Sequence, residues 1–183
     1  MSNTVLSICS WNVRGLGDVS KCADILSDLI GISPHCALLQ ESKLSEITDR
    51  KFHSFLPKSL DQKLFRPAHG SAGGTVSAFN SNFFTVLSHT NYNFATSIKL
   101  TSLAHPHPFI LTNIYAPACH NLKQAFLDEL KSIKEDDNTP WLIVGDFNLL
   151  RFSHEKNNPN FHQREAHAFN NTINELALIE LPL

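Results

Sequence analysis

The hydrophobic positions of this chain repeat one plan twice: a strand, a helix and a second strand. In the first copy, residues 4–11 are apolar on both alternating sides, which predicts a central strand. The spacing then becomes that of an amphipathic helix over residues 18–31, where Gly31 is placed to end it. Residues 36–39 predict a second, short buried strand. Because the connection is short and contains a helix, we expect the two strands to be parallel.

The second copy begins at residue 109. Residues 109–114 predict a strand, residues 122–133 have the apolar spacing of a helix, and residues 141–144 predict another strand. The last run is short, apolar and closed by Gly145, so we expect a strand that is buried on both faces. The chain therefore predicts a second parallel pair.

Between the two copies, the pattern predicts four short strands at close spacing: residues 63–66, 74–79, 83–88 and 94–100. Such spacing is typical of an antiparallel meander. Residues 44–55, which precede these strands, predict a short helix or irregular turns. The pattern thus predicts an α/β fold that contains both parallel and antiparallel pairs.

The last part of the chain contains a polar loop and one more helix. Residues 151–160 are polar, and residues 165–178 return to helical spacing. No further strand is predicted after this helix, so the second half is shorter than the first half leads us to expect. We therefore predict one domain over residues 1–183 that lacks its C-terminal strands.

Polar side chains follow the four strands of the two copies. Asn12 and Tyr115 come at the ends of the first strands, and Glu41 and Asp146 come after the second strands. Two such units can form two sheets packed face to face, so that all four strand ends meet in one cleft. A cleft with two carboxylates suits a hard divalent cation, which binds oxygen ligands.

Each of these residues also has a plainer interpretation. The Gly-Asp-Phe-Asn sequence at residues 145–148 consists mostly of turn formers and could be only a turn. Asn12 could cap a turn, and Tyr115 could be a core aromatic whose hydroxyl is satisfied. Glu41 is harder to explain in this way, because a carboxylate directly after a buried strand is costly unless it is paired or bound to a metal.

Composition limits the possible classes only moderately. With 183 residues, 42% of them hydrophobic and 17% charged, one domain with a real core is the default. The formal net charge of −2 argues against a free-standing, non-specific nucleic-acid binder, which would usually be basic. Residues 43–66 contain six Lys or Arg against three acidic residues. This stretch could be one rim of a phosphate-tracking groove or simply a solvated face.

The cysteines and histidines favour neither a disulfide framework nor a metal site. The four cysteines include no Cys-x-x-Cys pair and the chain starts without a secretory signal, so we expect free thiols and an intracellular location. No apolar run approaches the length of a membrane span. His105 and His107, and likewise His162 and His167, are close in sequence, but neither pair has a matching set of ligands at zinc-site spacing.

Four motifs resemble the endonuclease/exonuclease/phosphatase superfamily in their order and approximate spacing. They are Trp-Asn-Val-Arg-Gly at residues 11–15, Leu-Gln-Glu at 39–41, Asn-Ile-Tyr-Ala-Pro at 113–117 and Gly-Asp-Phe-Asn at 145–148. Together with residues 169–173 and 179–183, the local sequence of these motifs is similar to the endonuclease region of plant LINE-type (non-LTR) retrotransposon polyproteins. The resemblance covers essentially the whole chain. It implies a four-layer α/β/β/α sandwich, with two mixed sheets packed face to face, and metal-dependent hydrolysis of a phosphodiester.

The resemblance also implies which residues bind the metal and the nucleophile. Glu41 would be the main ligand of Mg²⁺ (or Mn²⁺), supported by Asn12. Asp146 would orient or activate the attacking water. This set agrees with the chemistry, because in-line displacement at phosphorus needs a cation and a carboxylate that faces the nucleophile.

The remaining motif residues would contact the substrate. By the same resemblance, Tyr115 would contact the scissile phosphate, and Asn148 would hydrogen bond a phosphate oxygen. Arg14 is a further candidate for phosphate or nucleic-acid binding. The implied partner is DNA.

The chain departs from the superfamily pattern at its C-terminal end. Members place a further Asp and a Ser-Asp-His sequence in strands beyond the point where this chain stops. None of the ten histidines here follows an Asp, so the general base is missing from the chain as given. We therefore expect little or no nuclease activity. A sheet without its closing strands would also expose backbone edges and apolar surface.

Three functions remain open from the sequence. The first is the N-terminal part of a DNA-nicking endonuclease of a retroelement, which would work in the nucleus together with the rest of a polyprotein. The second is a catalytically dead remnant with residual metal or nucleic-acid binding. The third, less favoured, is a phosphatase or lipid phosphodiesterase of the same superfamily. A Ser-Asp-His sequence in the reading frame after Leu183 would identify the first, whereas a stop codon would favour the second.

Overall fold

The structure is a computed structural model that describes residues 5–69, 72–103, 107–134, 139–155 and 161–181. The strands are β1 (Ile8–Asn12), β2 (Cys36–Gln40), β3 (Gln62–His69), β4 (Ala72–Phe79), β5 (Phe84–Asn91), β6 (Ala95–Ser102), β7 (Phe109–Tyr115) and β8 (Trp141–Asp146). The α-helices are α1 (Val19–Ile32), α2 (Asp49–Phe52), α3 (Lys123–Ile133) and α4 (Gln163–Glu175). Two short 3₁₀ helices cover His120–Leu122 and Ser153–Glu155. His105 and the end of the predicted polar loop lie outside the described residues.

The chain divides into two compact units. The first unit consists of Met1–Tyr115 and Thr139–Asp146, and it contains the eight strands with α1 and α2. The second unit consists of Ala116–Asn138 and Phe147–Leu183, and it contains α3 and α4. None of the described helices combines the length and the apolar character that crossing a membrane requires.

Two mixed four-stranded sheets form most of the first unit. One has the strand order β1-β2-β4-β3, and the other has the order β5-β6-β7-β8. β1 runs parallel to β2, and β7 runs parallel to β8, whereas the other neighbours are antiparallel. These pairs confirm the predicted α/β class with two mixed sheets and a parallel pair from each copy of the plan.

β1 and β8 lie elsewhere in their sheets than the hydrophobic pattern predicts. β1 was expected to be central, but it stands first in the order of its sheet. β8 was expected to be buried on both faces, but among the described strands it pairs with β7 alone, and all six of its residues are half-buried. An apolar run reports side-chain contacts and carries no information on how many strands lie beside it, so these two predictions were wrong.

The four strands between the parallel pairs do not form a single meander. β3 and β4 pair in the first sheet, and β5 and β6 pair in the second sheet. The chain therefore changes sheets in the turn between Phe79 and Phe84, where the backbone N–H of Phe84 donates to the Asn80 carbonyl at 3.0 Å. The pattern predicted antiparallel neighbours correctly, but it could not show that two hairpins belong to different sheets.

Two apolar cores hold the layers of the first unit together. One lies between α1 and the first sheet, where Ile25 and Leu29 of the helix pack with Leu39 and Val76 of the strands. The other lies between the two sheets and joins residues of β2 and β4 to residues of β5, β6 and β7. The first unit is thus layered as helix, sheet and sheet, which agrees with the predicted sandwich.

A buried polar contact crosses the apolar interface between the sheets. Gln40 of β2 and Asn113 of β7 are both fully buried, and the Gln40 Nε2 donates to the Asn113 Oδ1 at 2.8 Å. The Asn113 Nδ2 in turn donates to the Ser77 Oγ at 3.1 Å and to the Val76 carbonyl at 3.2 Å. Because buried amides are costly unless they are hydrogen bonded, this contact favours one alignment of the two sheets.

Gly145 in β8 gives a test of this packing. Its φ is +135°, and a Cβ there would stand 2.1 Å from the carbonyl oxygen of Ile114 on β7. Backbone strain and overpacking should together lower the free energy of unfolding of Gly145→Ala by roughly 2–5 kcal/mol. Gly17→Ala is the matched control, because a Cβ at Gly17 meets nothing within 4 Å. Urea unfolding measures both variants, and equal midpoints would contradict the packing described for β8.

Candidate functional site

The structure brings four of the predicted site residues together at the carboxyl ends of the parallel strands. We call them the strand-end group: Asn12, Glu41, Tyr115 and Asp146. The Asn12 Nδ2 donates to the Asp146 Oδ2 at 2.6 Å, although the two residues are 134 positions apart. Glu41 hydrogen bonds with the side chains of both Asn12 and Tyr115. All four side chains are therefore linked by hydrogen bonds within the first unit.

The register of the parallel pairs explains this arrangement. Asn12 lies opposite Gln40 across β1 and β2, and Tyr115 lies opposite Asp146 across β7 and β8. Glu41 follows Gln40 directly, so it comes just after the end of β2, beside the end of β1 at Asn12. Since the ends of parallel strands meet at one edge of a sheet, each pair delivers two polar groups to the same place.

The backbone at Glu41 is held in the left-handed region, with a φ of 58°. Its carbonyl accepts a hydrogen bond from the Gly15 N–H at 2.7 Å, and the N–H of Ser42 donates to the Gly74 carbonyl at 3.0 Å. Non-glycine residues in this region cost about 1–3 kcal/mol and persist where their surroundings fix them. Such strain is typical of residues whose side chain must point in a specific direction.

Glu41 is set up to be ionised. Burial raises the pKa of this carboxyl. Hydrogen bonds from Lys43 and Asn12 and the charges of Lys43 and Arg14 lower the pKa by more than burial raises it, so the net pKa lies below the ordinary value. The Lys43 Nζ lies 2.9 Å from the Glu41 Oε1. Glu41 therefore carries a full negative charge at neutral pH.

Tyr115 is set up to remain protonated. Burial raises the pKa of its hydroxyl, and the negative charges of Glu41 and Asp146 raise it further, while the charge of Arg66 lowers it in part. The hydroxyl hydrogen bonds with Glu41. Because the net pKa lies above the usual range, Tyr115 is a hydrogen-bond donor at neutral pH.

Asn12 joins the two carboxylates of the group. Its Nδ2 faces Asp146, while its Oδ1 accepts from the backbone N–H of Arg14 at 3.0 Å. One lone pair of this oxygen is therefore used locally and the other remains for a further partner. Arg14 has a φ of 52°, and its charge acts on Glu41. The predicted metal contact of Asn12 and the predicted phosphate contact of Arg14 stay predictions.

Asn148, the sixth predicted site residue, belongs to the second unit. Its Nδ2 donates to the Ala116 carbonyl at 2.8 Å, and its own carbonyl accepts from the Lys123 Nζ at 2.6 Å. Its φ of 49° is in the region that Asn tolerates better than most residues. The predicted contact of Asn148 with a phosphate oxygen stays a prediction.

Three buried polar residues near the group were missed by the sequence analysis. Gln40 and Asn113 hydrogen bond with each other just before the strand ends. Arg66 of β3 is only 7% exposed, and its charge acts on Tyr115. The Arg66 Nη1 donates to the Asn93 carbonyl at 2.8 Å. The available signal for Gln40 and Asn113 was an amide in a mostly apolar strand, whereas Arg66 lies in a strand with several other polar residues. Arg66 had been counted only with the basic stretch at residues 43–66.

The donors of the strand-end group suit a hard divalent cation. Two carboxylates, an amide oxygen and a hydroxyl are all oxygen ligands, which Mg²⁺ and Mn²⁺ prefer. The ammonium group of Lys43 already lies against Glu41, so this position attracts positive charge. These residues therefore fit a divalent metal site.

Comparison with known proteins gives one family. A family model described as the Endonuclease/Exonuclease/phosphatase family matches residues 9–176. No curated protein sequence matches the chain significantly. The match includes the whole strand-end group.

Solved structures show a similar fold at low sequence identity. The AP endonuclease LMAP from Leishmania major has a TM-score of 0.69 and 15% identity, with 93% of this chain and 66% of that chain covered. An AP endonuclease from Archaeoglobus fulgidus has a TM-score of 0.68 and 15% identity, with 93% and 71% covered. The human Nocturnin catalytic domain with a bound sulfate anion has a TM-score of 0.57 and 19% identity, with 78% and 64% covered. The chain thus spans about two-thirds of these solved chains, and at such identities the similarity establishes the fold alone.

The lowered pKa of Glu41 gives a test of the electrostatics. A carboxyl with a lowered folded-state pKa stabilises the fold above its unfolded value, and this stability is lost as pH falls through the folded pKa. The difference in the free energy of unfolding between the wild type and Glu41→Gln should therefore shrink as pH falls from neutrality through the ordinary range of a carboxyl pKa and below it. Glu46→Gln, at an exposed carboxylate nearby, is the control. A difference that stays constant or grows on acidification would contradict the stated environment of Glu41.

Proposed function

Because this chain belongs to the endonuclease/exonuclease/phosphatase family, we propose that the strand-end group is the metal-binding part of a phosphodiesterase site that acts on DNA. The observation that carries this proposal is the hydrogen-bonded set of four polar side chains at the ends of β1, β2, β7 and β8. The finer proposal, a DNA-nicking endonuclease of a LINE-type retroelement, rests on the sequence motifs. Such an enzyme would work in the nucleus as part of a polyprotein.

Members of this family generally depend on a divalent metal. When it is bound, Mg²⁺ or Mn²⁺ would offset negative charge on the phosphate oxygens. Glu41 is the proposed main ligand because it is ionised at neutral pH and is held in a fixed backbone conformation. Asn12 is the proposed supporting ligand, through the lone pair of Oδ1 that Arg14 does not use.

Tyr115 is the proposed donor to the substrate. Its hydroxyl is protonated at neutral pH and hydrogen bonds with Glu41. A phosphate oxygen carries a similar negative charge to a carboxylate oxygen, so the hydroxyl can transfer its hydrogen bond from Glu41 to the substrate. Arg14 and Asn148 are proposed as further phosphate contacts. Sulfate, which resembles phosphate in shape and charge, is bound in the similar Nocturnin catalytic domain.

Asp146 is the proposed residue that orients the attacking water. Its Oδ2 accepts a short hydrogen bond from Asn12, which fixes the plane of the carboxylate. An oriented carboxylate facing the nucleophile lowers the cost of proton transfer only when its geometry is held. The Asn12 contact is thus a positioning contact for Asp146.

We also propose that the chain as given turns over slowly. It spans 64–71% of the three solved chains described above. The proposal therefore concerns the activity of these 183 residues and not that of a longer protein. The sequence has no His that follows an Asp, the pair that the family motif uses as general base. Loss of a positioned general base removes about 10²–10⁴ of the rate. Metal binding requires only the residues that are present.

Metal binding tests the site apart from turnover. Titration of Mn²⁺, followed by electron paramagnetic resonance, should show one site in the wild type that Glu41→Gln weakens by about tenfold or more, because the charged ligand is lost. Glu46→Gln should bind like the wild type, since it changes the same charge at an exposed position. Equal Mn²⁺ affinity in the wild type and Glu41→Gln would refute the assignment of Glu41.

Nicking of supercoiled plasmid with Mg²⁺ or Mn²⁺ tests the reaction. We expect a rate about 10²–10⁴ below that of a complete family enzyme, and we expect Glu41→Gln and Asp146→Asn to abolish what remains. Nicking that neither variant changes would exclude the strand-end group as its source. Fast nicking that both variants abolish would support the phosphodiesterase and overturn the proposal of slow turnover. Mn²⁺ binding with no nicking by any preparation would leave a binding function only.

A further inference from the structure

The second unit contains a cluster of three potential metal ligands that the proposed function does not use. We call it the His-His-Glu cluster: His120, His162 and Glu165. One ligand atom from each residue lies within 4.8 Å of the others. His120 begins the 3₁₀ helix His120–Leu122, His162 is the N-cap of α4, and Glu165 lies in the first turn of α4. Two segments separated by about forty residues therefore converge on one point.

The spacing of these atoms is close to that of a zinc site. The His120 Nδ1 lies 2.5 Å from the Glu165 Oε1, and the rings of His120 and His162 have centroids 4.3 Å apart. Tetrahedral Zn²⁺, with bonds of about 2.0–2.1 Å, holds its ligands about 3.3 Å apart. His120 and His162 are both exposed, so rotation of their side chains can bring the ligand atoms toward this spacing. Two His and one Glu are also a ligand set that recurs in zinc sites with an open position.

The backbone that carries the cluster is well anchored. Phe169 of α4 is buried and packs against Phe147 with ring centroids 5.4 Å apart. Asn170 of the same helix exchanges two hydrogen bonds with Arg151, at 2.9 and 3.0 Å. A ligand set on rigid elements loses less conformational entropy on binding than a set on loops. The Glu165 side chain itself is three-quarters buried.

A cavity of about 190 Å³ borders all three residues of the cluster. Lys123 and Asn148 also line it, and Lys123 is buried with its ammonium group donating to the carbonyls of Pro117 and Asn148 at 2.5 and 2.6 Å. The ammonium charge is thus held by two carbonyl groups. The cavity leaves room beside the cluster for a water molecule or a small anion.

We propose that the His-His-Glu cluster binds Zn²⁺ through three protein ligands, with a fourth position open to the cavity. Imidazole nitrogen favours Zn²⁺ over Mg²⁺, whereas the oxygen ligands of the strand-end group favour Mg²⁺. The chain would then carry two metal sites of different chemistry, one in each unit. This site goes beyond the proposed phosphodiesterase function and stands on separate residues.

Calorimetric titration of Zn²⁺ in excess Mg²⁺ tests the proposal, because Mg²⁺ occupies oxygen sites and leaves the cluster available. We expect one Zn²⁺ per chain, and we expect at least a tenfold loss of affinity in His120→Ala and in Glu165→Gln. His167→Ala is the matched control, since it removes an exposed His from the same helix outside the cluster. Glu41→Gln should keep the Zn²⁺ stoichiometry of the wild type.

Absorption of Co²⁺ in place of Zn²⁺ supplies a second readout that does not depend on stability. The wild type and His167→Ala should give the intense visible bands of four-coordinate Co²⁺, and His120→Ala should not. Zn²⁺ affinity unchanged in both cluster variants would overturn the proposal, as would an equal loss in His167→Ala. A wild-type Co²⁺ spectrum typical of six-coordinate aqueous ion would do the same.

Discussion

The hydrogen bond between Gln40 and Asn113 is the interaction on which the site of the first unit depends. It joins two sheets whose interface is mostly apolar, and its two partners are 73 residues apart in sequence. A buried amide without a partner costs about 1–3 kcal/mol, so alignments that separate the two amides are disfavoured. Gln40 directly precedes Glu41, and Asn113 lies two residues before Tyr115. The contact that aligns the sheets therefore also sets the level at which Glu41 and Tyr115 meet.

The backbone conformation of the loops after β1 and β2 also helps to position the side chains of the strand-end group. Arg14, Glu41 and Lys43 all have a positive φ, between 52° and 58°, in the two loops that follow β1 and β2. Backbone hydrogen bonds from the loop after β1 to the carbonyls of Gln40, Glu41 and Ser42 tie these loops together. A left-handed residue at the end of a strand turns the chain sharply, so the side chain leaves the sheet at its edge. The strain at these three residues is thus offset by the backbone hydrogen bonds between the two loops.

Much of the fold was predictable from local periodicity, and most of the site was predictable from where the periodicity stops. The two parallel pairs follow from short connections that contain a helix, and Asn12, Glu41, Tyr115 and Asp146 were found because each closes an apolar run. The edge positions of β1 and β8 were not predictable in this way, since a strand's own residues do not specify its neighbours. The change of sheet after β4 was missed for the same reason.

Long-range polar contacts were the least predictable part. Asn113 stands inside a predicted strand and Gln40 directly follows one, and the hydrogen bonds that these amides make, including their pairing across the sheets, explain why they are tolerated there. His120 and Glu165 are 45 residues apart in sequence, and only folding brings the His120 Nδ1 to 2.5 Å from the Glu165 Oε1. Spacing rules find metal ligands that share one segment, and they do not find ligands that two segments contribute.

The ion pair between Lys43 and Glu41 explains how the first site can be both stable and available. Without a partner, Glu41 would be a partly buried charge, and the cost of its desolvation would oppose the folded state. Lys43 offsets this charge from an exposed position, with 43% of its side chain accessible. Because the ammonium group of Lys43 stays accessible to solvent, the pair contributes little, on the order of 1 kcal/mol. Lys43 can therefore leave Glu41 at little cost when a stronger cation competes for the carboxylate, which lets one residue balance the charge of the free protein without blocking its proposed ligand.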